Sequence, residues 1–465
     1  MISSRGRLGT AEVFPTLAIR TPTATALLRA SSWAVALAGA AGLMAWLLAR
    51  YPPSLAAALL IGLGLLGALA LTLARFQAAV GLGVLLLAFV RIEPAPADAI
   101  FAVVIAVTLL TGRFNLRRVP MLAVGLVGTF LVINLFSSVE MIDPVRGIRF
   151  FAITLYLGIF ALWLTEYMCS TGRARLVVRL YLLSALASAA LGSAALFAPF
   201  PGHETFVFGG SRVQGLFKDP DVYGAFLIPA ALILVEEVVS PRLVGWGRVR
   251  KAIGVSILAL GIVFSFSRAV WLDLAFGLTT MLLVLALRRG GGRRALVSFS
   301  VVLSAAAVIA SAIVLTGSSG FLAQRAHLQG YDAERFSAQT LGLEQGERYP
   351  LGIGPGQFEV VSPVSAHSTY IRAFAEEGAP GLAALIALLL ATLLLGARNV
   401  VRGMDTYGIG SAALLGSWLG ILANSLFVDT LHWRHLWLVA ALIWAGAMRS
   451  DRTYASSKTA SRSPR

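Results

Sequence analysis

His367, Arg212 and Arg268 combine a proton acceptor with two phosphate-binding cations. His367 opens a short polar segment, His367-Ser368-Thr369-Tyr370-Ile371-Arg372, just ahead of a long apolar run. Imidazole is the side chain best suited to take a proton near neutral pH. Arg212 and Arg268 stand in polar breaks between apolar runs, where Arg268 reads either as an interfacial snorkelling arginine or as one facing a cavity. A guanidinium grips phosphate oxygens through a planar fork of N–H donors and needs no metal to do so. If the fold brought them together, a base and two such forks would suit transfer of a group from a phosphate-linked donor to a hydroxyl, with negative charge growing on the departing phosphate.

Other side chains join them as candidates. Arg146 and Arg149 flank the entrance to an apolar run and read either as phosphate contacts or as helix anchors. Lys218, Arg348, Ser368, Tyr370 and Arg372 are further substrate-binding candidates. The run Pro350-Leu351-Gly352-Ile353-Gly354-Pro355-Gly356 is no nucleotide loop, because no Gly-Lys-Ser/Thr follows it. It reads as a tight turn using positive φ, with the N–H groups of Gly354 and Gly356 as candidates to line a phosphate site. Asp219-Pro220-Asp221 has the Asp-x-Asp look of a metal site, yet an Asp before Pro at a helix start reads as an N-cap followed by an N1 proline. His432 and His435 lie near Asp429 and Arg434, but Trp433 and Trp437 favour an interfacial aromatic belt over a metal site. No metal ligand set and no cofactor is expected.

The elements that position these residues are membrane helices. The chain is 58% hydrophobic and only 13% charged, and its mean hydropathy is +0.82. No soluble domain of 465 residues hides that much apolar surface, whereas a bilayer does. Apolar runs predict spans over 31–49, 54–74, 77–92, 96–112, 119–137, 149–168, 176–199, 221–239, 252–266, 269–287, 295–316, 378–397, 410–428 and 433–448. The expected fold is an all-α polytopic bundle of 12–14 spans, with a cytoplasmic tail over 1–30 and a disordered tail over 449–465. Between Ala252 and Leu287 the apolar run is too long for one crossing, so it must break at Ser265-Phe266-Ser267-Arg268. Asp273, off the face of Arg268, is expected to neutralise a basic group across a helix interface.

With both ends cytoplasmic, most arginines fall in inside loops, which accounts for the net charge of +16 without nucleic acid. The loop over 317–366 then lies outside and is long enough to be functional. A short helix is expected there around Leu322 to Leu343. The single Cys169 excludes an internal disulfide and any cysteine-based metal site.

Two motifs carry a resemblance. His367-Ser368 is followed by nine residues and then by Gly378-Ala379-Pro380-Gly381, and the glycine run lies just upstream. The pair resembles the signature of the O-antigen ligase and O-antigen polymerase superfamily of bacterial membrane glycosyltransferases. The stretch Arg212 to Asp221 and the step Ser267-Arg268 ahead of Trp271 are similar to the same family, although both residues flanking Pro220 are Asp. The likeness covers about Arg212 to Trp444, and the N-terminal third matches only as a set of spans. It implies an inner-membrane enzyme whose periplasmic loop caps the active cavity. Such an enzyme moves a glycan from undecaprenyl diphosphate to a lipid A-core acceptor with inversion, and His367 serves as general base or orients the acceptor hydroxyl. A polymerase joining lipid-linked repeat units is the alternative. A transporter or flippase fits less well, because the polar groups gather on one face.

Overall fold

The computed structural model describes residues 54–460 apart from 93, 199, 241, 289, 290 and 328. The expected tail over 1–30, the span over 31–49 and the last residues from 461 lie outside the described residues. From residue 54 onward every expected span has a helix in its place. The first six are α1 (Leu55–Ala74), α2 (Phe76–Leu85), α3 (Pro96–Leu110), α4 (Met121–Ser137), α5 (Pro144–Tyr167) and α6 (Thr171–Phe197). A two-stranded antiparallel hairpin, β1 (Val207–Phe208) and β2 (Arg212–Val213), leads into α7 (Pro220–Val239). Then come α8 (Arg248–Phe264), α9 (Arg268–Leu287) and α10 (Gly291–Thr316). The long loop holds α11 (Ser319–Ala326), α12 (Gly330–Arg348) and the single turn α13 (Phe358–Val361). The chain closes with α14 (Thr369–Val401), α15 (Ser411–Asn424) and α16 (Arg434–Ala460).

Among the described residues, 7 helices are long and apolar enough to cross a membrane, and several apolar helices are shorter. The architecture is thus an all-α polytopic bundle. In α7, 89% of the apolar window is buried against 17% in α10, so α7 is the central post and α10 a peripheral one. Leu59, Leu60, Leu63 and Leu66 of α1 and Leu296, Phe299 and Leu303 of α10 face outward, where lipid rather than water suits them. Trp163, Trp418, Trp437 and Trp444 fill the interior.

Three local differences from expectation have physical causes. The loop carries two helices in place of one, because Asp332 caps a second start by accepting the Gln329 N–H at 2.7 Å. The polar segment before Gly378 is itself helical from Thr369, where Ser368 supplies the N-cap, and the chain jogs at Gly378 rather than beginning there. The backbone of α16 runs on helically to Ala460, into the segment read as a tail.

α9 and α15 touch through glycines. A Cβ at Gly416 would lie 2.4 Å from the Gly277 carbonyl oxygen, so only glycine permits this approach. One turn away, the fully buried Asp273 accepts a hydrogen bond from Asn424 Nδ2 at 3.1 Å. Its partner is therefore an amide of the facing helix, not the basic group anticipated.

Candidate active site

The break between α8 and α9 falls where the length of the apolar run requires it. Phe266 takes a left-handed φ of 49°, and Ser267 Oγ caps α9 by accepting the Val270 N–H at 3.4 Å. Arg268, the first residue of α9, is thereby aimed away from the lipid. Its Nη2 lies 2.6 Å from Asp332 Oδ1 on α12, and its Nη1 donates to the His327 carbonyl at 3.2 Å. Arg325 fastens the loop to the same break, donating from Nε to the Phe266 carbonyl at 3.2 Å and from Nη1 to the Tyr331 hydroxyl at 2.5 Å.

Arg212 reaches this break from the other side. Gly209 and Gly210, with φ of 58° and 75°, make the tight hairpin turn that brings it there. Its Nε donates to the Ser265 carbonyl at 2.9 Å and its Nη2 to Asp221 Oδ1 at 2.6 Å. Asp219 is the N-cap of α7, with Oδ1 accepting the Asp221 N–H at 2.6 Å. The Asp-Pro-Asp step is thus occupied as a cap and as an arginine partner. Among the described residues no group of three or more His, Cys, Asp or Glu gathers as a metal would need.

His367 completes the cluster. It is half-buried with a left-handed φ of 46°, and its ring makes no hydrogen bond among the described residues. Burial and then the Arg335 charge hold its pKa below the ordinary 6.5, against the pull of Asp221. Both effects favour the neutral imidazole, the form a base requires.

Arg335 joins the cluster although no motif in the sequence singles it out as a site residue. It lies on α12 one turn beyond Asp332, with its guanidinium 4.9 Å from the Tyr331 ring centroid. Its charge acts on Asp219, Asp332 and His367 together, and it forms no ion pair among the described residues. In sequence it is one arginine among several in the loop. Only its helical offset from Asp332, three residues on and so on the same face, could have singled it out.

Several expected contacts have structural duties instead. Arg372 is buried and bound by acids: Glu359, Glu376 at 3.1 Å and Asp429 at 2.8 Å, with Ser365 Oγ at 2.9 Å. Arg146 donates to the Gly356 carbonyl at 2.7 Å and pairs with Glu359 at 3.1 Å. Despite burial, these two arginines hold the Glu359 carboxyl below its usual range. Both are held by carboxylates, and the Arg372 charge still acts on His367. The amides of Gly354 and Gly356 are also engaged, bonding the Glu376 carbonyl at 2.9 Å and its carboxylate at 2.8 Å. Both N–H groups are spent within the fold, and the turn reading describes the glycine run.

Ser368 is a cap, and the Tyr370 hydroxyl donates to the Leu422 carbonyl at 3.1 Å. Arg348 is exposed at the end of α12 beside its neighbour Tyr349. Arg149 and Lys218 are exposed, Lys218 adjoining the Asp219 cap. His432 turns inward to Thr154 Oγ1 at 2.9 Å, and burial first of all drops its pKa to about 4. Arg434 forks onto Asp98.

The two glycine motifs are halves of one clasp. Gly352 and Gly378 both have positive φ, at 84° and 66°. A Cβ on Gly352 would lie 2.2 Å from the Glu376 carbonyl oxygen, and one on Gly378 would lie 2.1 Å from that of Pro350. The Ile353 N–H bonds the Ala375 carbonyl at 2.9 Å, and the Glu376 carboxylate receives the Phe358 N–H at 3.0 Å. The clasp fixes the loop against the helix that begins just after His367.

Fold and site together define a polytopic helical membrane protein with an arginine- and histidine-bearing cluster under a long loop. Residues 253–386 match the family model described as O-antigen ligase, which supports a place in the O-antigen ligase superfamily. The matched stretch runs from α8 into α14, taking in Arg268, Arg335, His367 and the clasp but not Arg212. The match supports a membrane glycosyltransferase-like enzyme. No curated protein matches the chain.

Proposed function

We propose that the protein is an O-antigen ligase-type enzyme, moving a glycan from undecaprenyl diphosphate to a lipid A-core sugar at the periplasmic face of the bacterial inner membrane. The observation that carries this reading is the meeting of Arg212 and Arg268 at one backbone break, with neutral His367 and Arg335 beside them. The arginines bind the diphosphate, and their forks stabilise the charge it gains as it leaves. His367 takes the proton of the acceptor hydroxyl while that oxygen attacks the anomeric carbon. The bond from this carbon to the diphosphate oxygen breaks on the opposite side, its electron pair leaves with the diphosphate, and the configuration inverts.

Gel analysis of surface glycans after deletion tests the reading. Core lacking all long chains marks a ligase. Core carrying a single repeat unit marks the polymerase alternative, in which the acceptor is another lipid-linked unit. An unchanged ladder removes both. Purified enzyme should turn over in excess EDTA, because in this reading the arginines supply the positive charge that a divalent cation would otherwise bring.

A further inference from the structure

Asp332 performs two tasks with its two oxygens. Oδ2 accepts the Gln329 N–H at 2.7 Å and so caps α12, while Oδ1 lies 2.6 Å from Arg268 Nη2. The Asp332 side chain is 8% exposed while that of Arg268 is 28% exposed, so the acid is sheltered and the guanidinium it holds remains within reach of an incoming ligand. A carboxylate and a phosphate present a guanidinium with the same pair of acceptor oxygens. Two ligands of that shape cannot share one N–H. The fork that the proposed mechanism assigns to the donor is thus filled by an internal acid, and the contact ties α12 to the start of α9. Arg335, on the adjoining turn of α12, is paired with no carboxylate among the described residues.

We propose that Asp332 is an internal stand-in for a donor phosphate, competing with the diphosphate for Arg268 and yielding that fork when the lipid-linked donor binds. The proposal rests on the function proposed above. Its counterpart is a supporting role, in which Asp332 orients Arg268 and binding needs the pair intact. The two roles predict opposite signs.

The test is the affinity of purified protein for farnesyl diphosphate, a soluble prenyl diphosphate. Asn at 332 keeps an acceptor oxygen for the Gln329 amide and so keeps the cap, while the charge that competes is gone. Asp332→Asn should bind the probe about 10-fold more tightly, the scale of one charge-assisted hydrogen bond. The gain should disappear in an Arg268→Gln background. Unchanged or weaker binding by Asp332→Asn overturns the proposal in favour of support. A gain that persists with Arg268→Gln overturns it too, because it reports a general loss of negative charge. Asp219→Asn, which removes a nearby acid not bonded to Arg268, should leave affinity within about 2-fold. Should wild-type protein bind no farnesyl diphosphate, the functional reading itself fails, and the competition fails with it.

Discussion

At the scale of single residues, His367 and the two arginines divide the work between proton and charge. His367→Ala should lose roughly 10²–10⁴ in turnover, the usual contribution of a general base, yet keep its affinity for a prenyl diphosphate. His367→Asn separates chemistry from backbone, since Asn tolerates the left-handed φ that residue 367 adopts. Near-normal turnover by the Asn variant at matched membrane abundance would show that the imidazole is dispensable. The depressed pKa sets the pH dependence. A base works deprotonated, so the acid limb of the turnover profile should lie below the ordinary 6.5. Arg335→Gln removes a charge that holds the value down and should move that limb upward. Arg212→Ala and Arg268→Ala should each abolish measurable transfer in membranes that contain normal amounts of protein. Lys at either place should not restore it fully, because a point charge lacks the fork.

Residue type announced these three side chains because each stands in a polar break with a chemistry of its own. It did not separate them from Arg146 and Arg372, which have the same side chain a short distance away. Arg212 and Arg268 each have one acid partner too, Asp221 and Asp332. What sets Arg372 apart is its enclosure by Glu359, Glu376 and Asp429, and Arg146 is set apart by sharing Glu359 and bonding the Gly356 carbonyl of the glycine turn.

At the scale of elements, hydropathy located the helices because a span in lipid must satisfy its own backbone and display apolar side chains. It could not foresee the clasp, which depends on two glycine-rich segments meeting backbone to backbone. Gly378 combines φ of 66° with ψ of −169°, a region open in practice only to glycine. An added methyl group would also collide with the Pro350 carbonyl. Gly378→Ala should therefore cost at least ~2 kcal/mol, the sum of backbone strain and overpacking. Thermal unfolding in detergent should show a lowered midpoint, and transfer should fall along with it because the clasp supports the segment that carries His367. Gly403→Ala, also at positive φ but with open space around its Cβ, isolates the backbone cost alone and should be the milder change. Equal midpoints for Gly378→Ala and wild type would mean that the clasp carries no load.

At the scale of the whole molecule, charge decides orientation. On the face opposite the long loop, Arg118 pairs with Glu166, Arg242 with Asp405 and Arg288 with Glu236. The connections there also hold Arg173, Arg175, Arg248, Arg250, Arg293, Arg294, Arg398 and Arg402. Short loops rich in arginine stay in the cytoplasm, so the face bearing Arg212, Arg268 and His367 should open to the periplasm, where lipid-linked glycans are joined in the proposed reaction. Two cysteines on a Cys169→Ala background test both sides at once. Ser337→Cys lies on the exposed surface of α12 and should react with a membrane-impermeant maleimide in intact cells with permeabilised outer membranes. Val401→Cys, at a position 86% exposed at the far end of α14, should react only after the inner membrane is breached. The reverse order of labelling would turn the bundle over, place the arginine cluster in the cytoplasm and leave the proposed transfer without access to its acceptor.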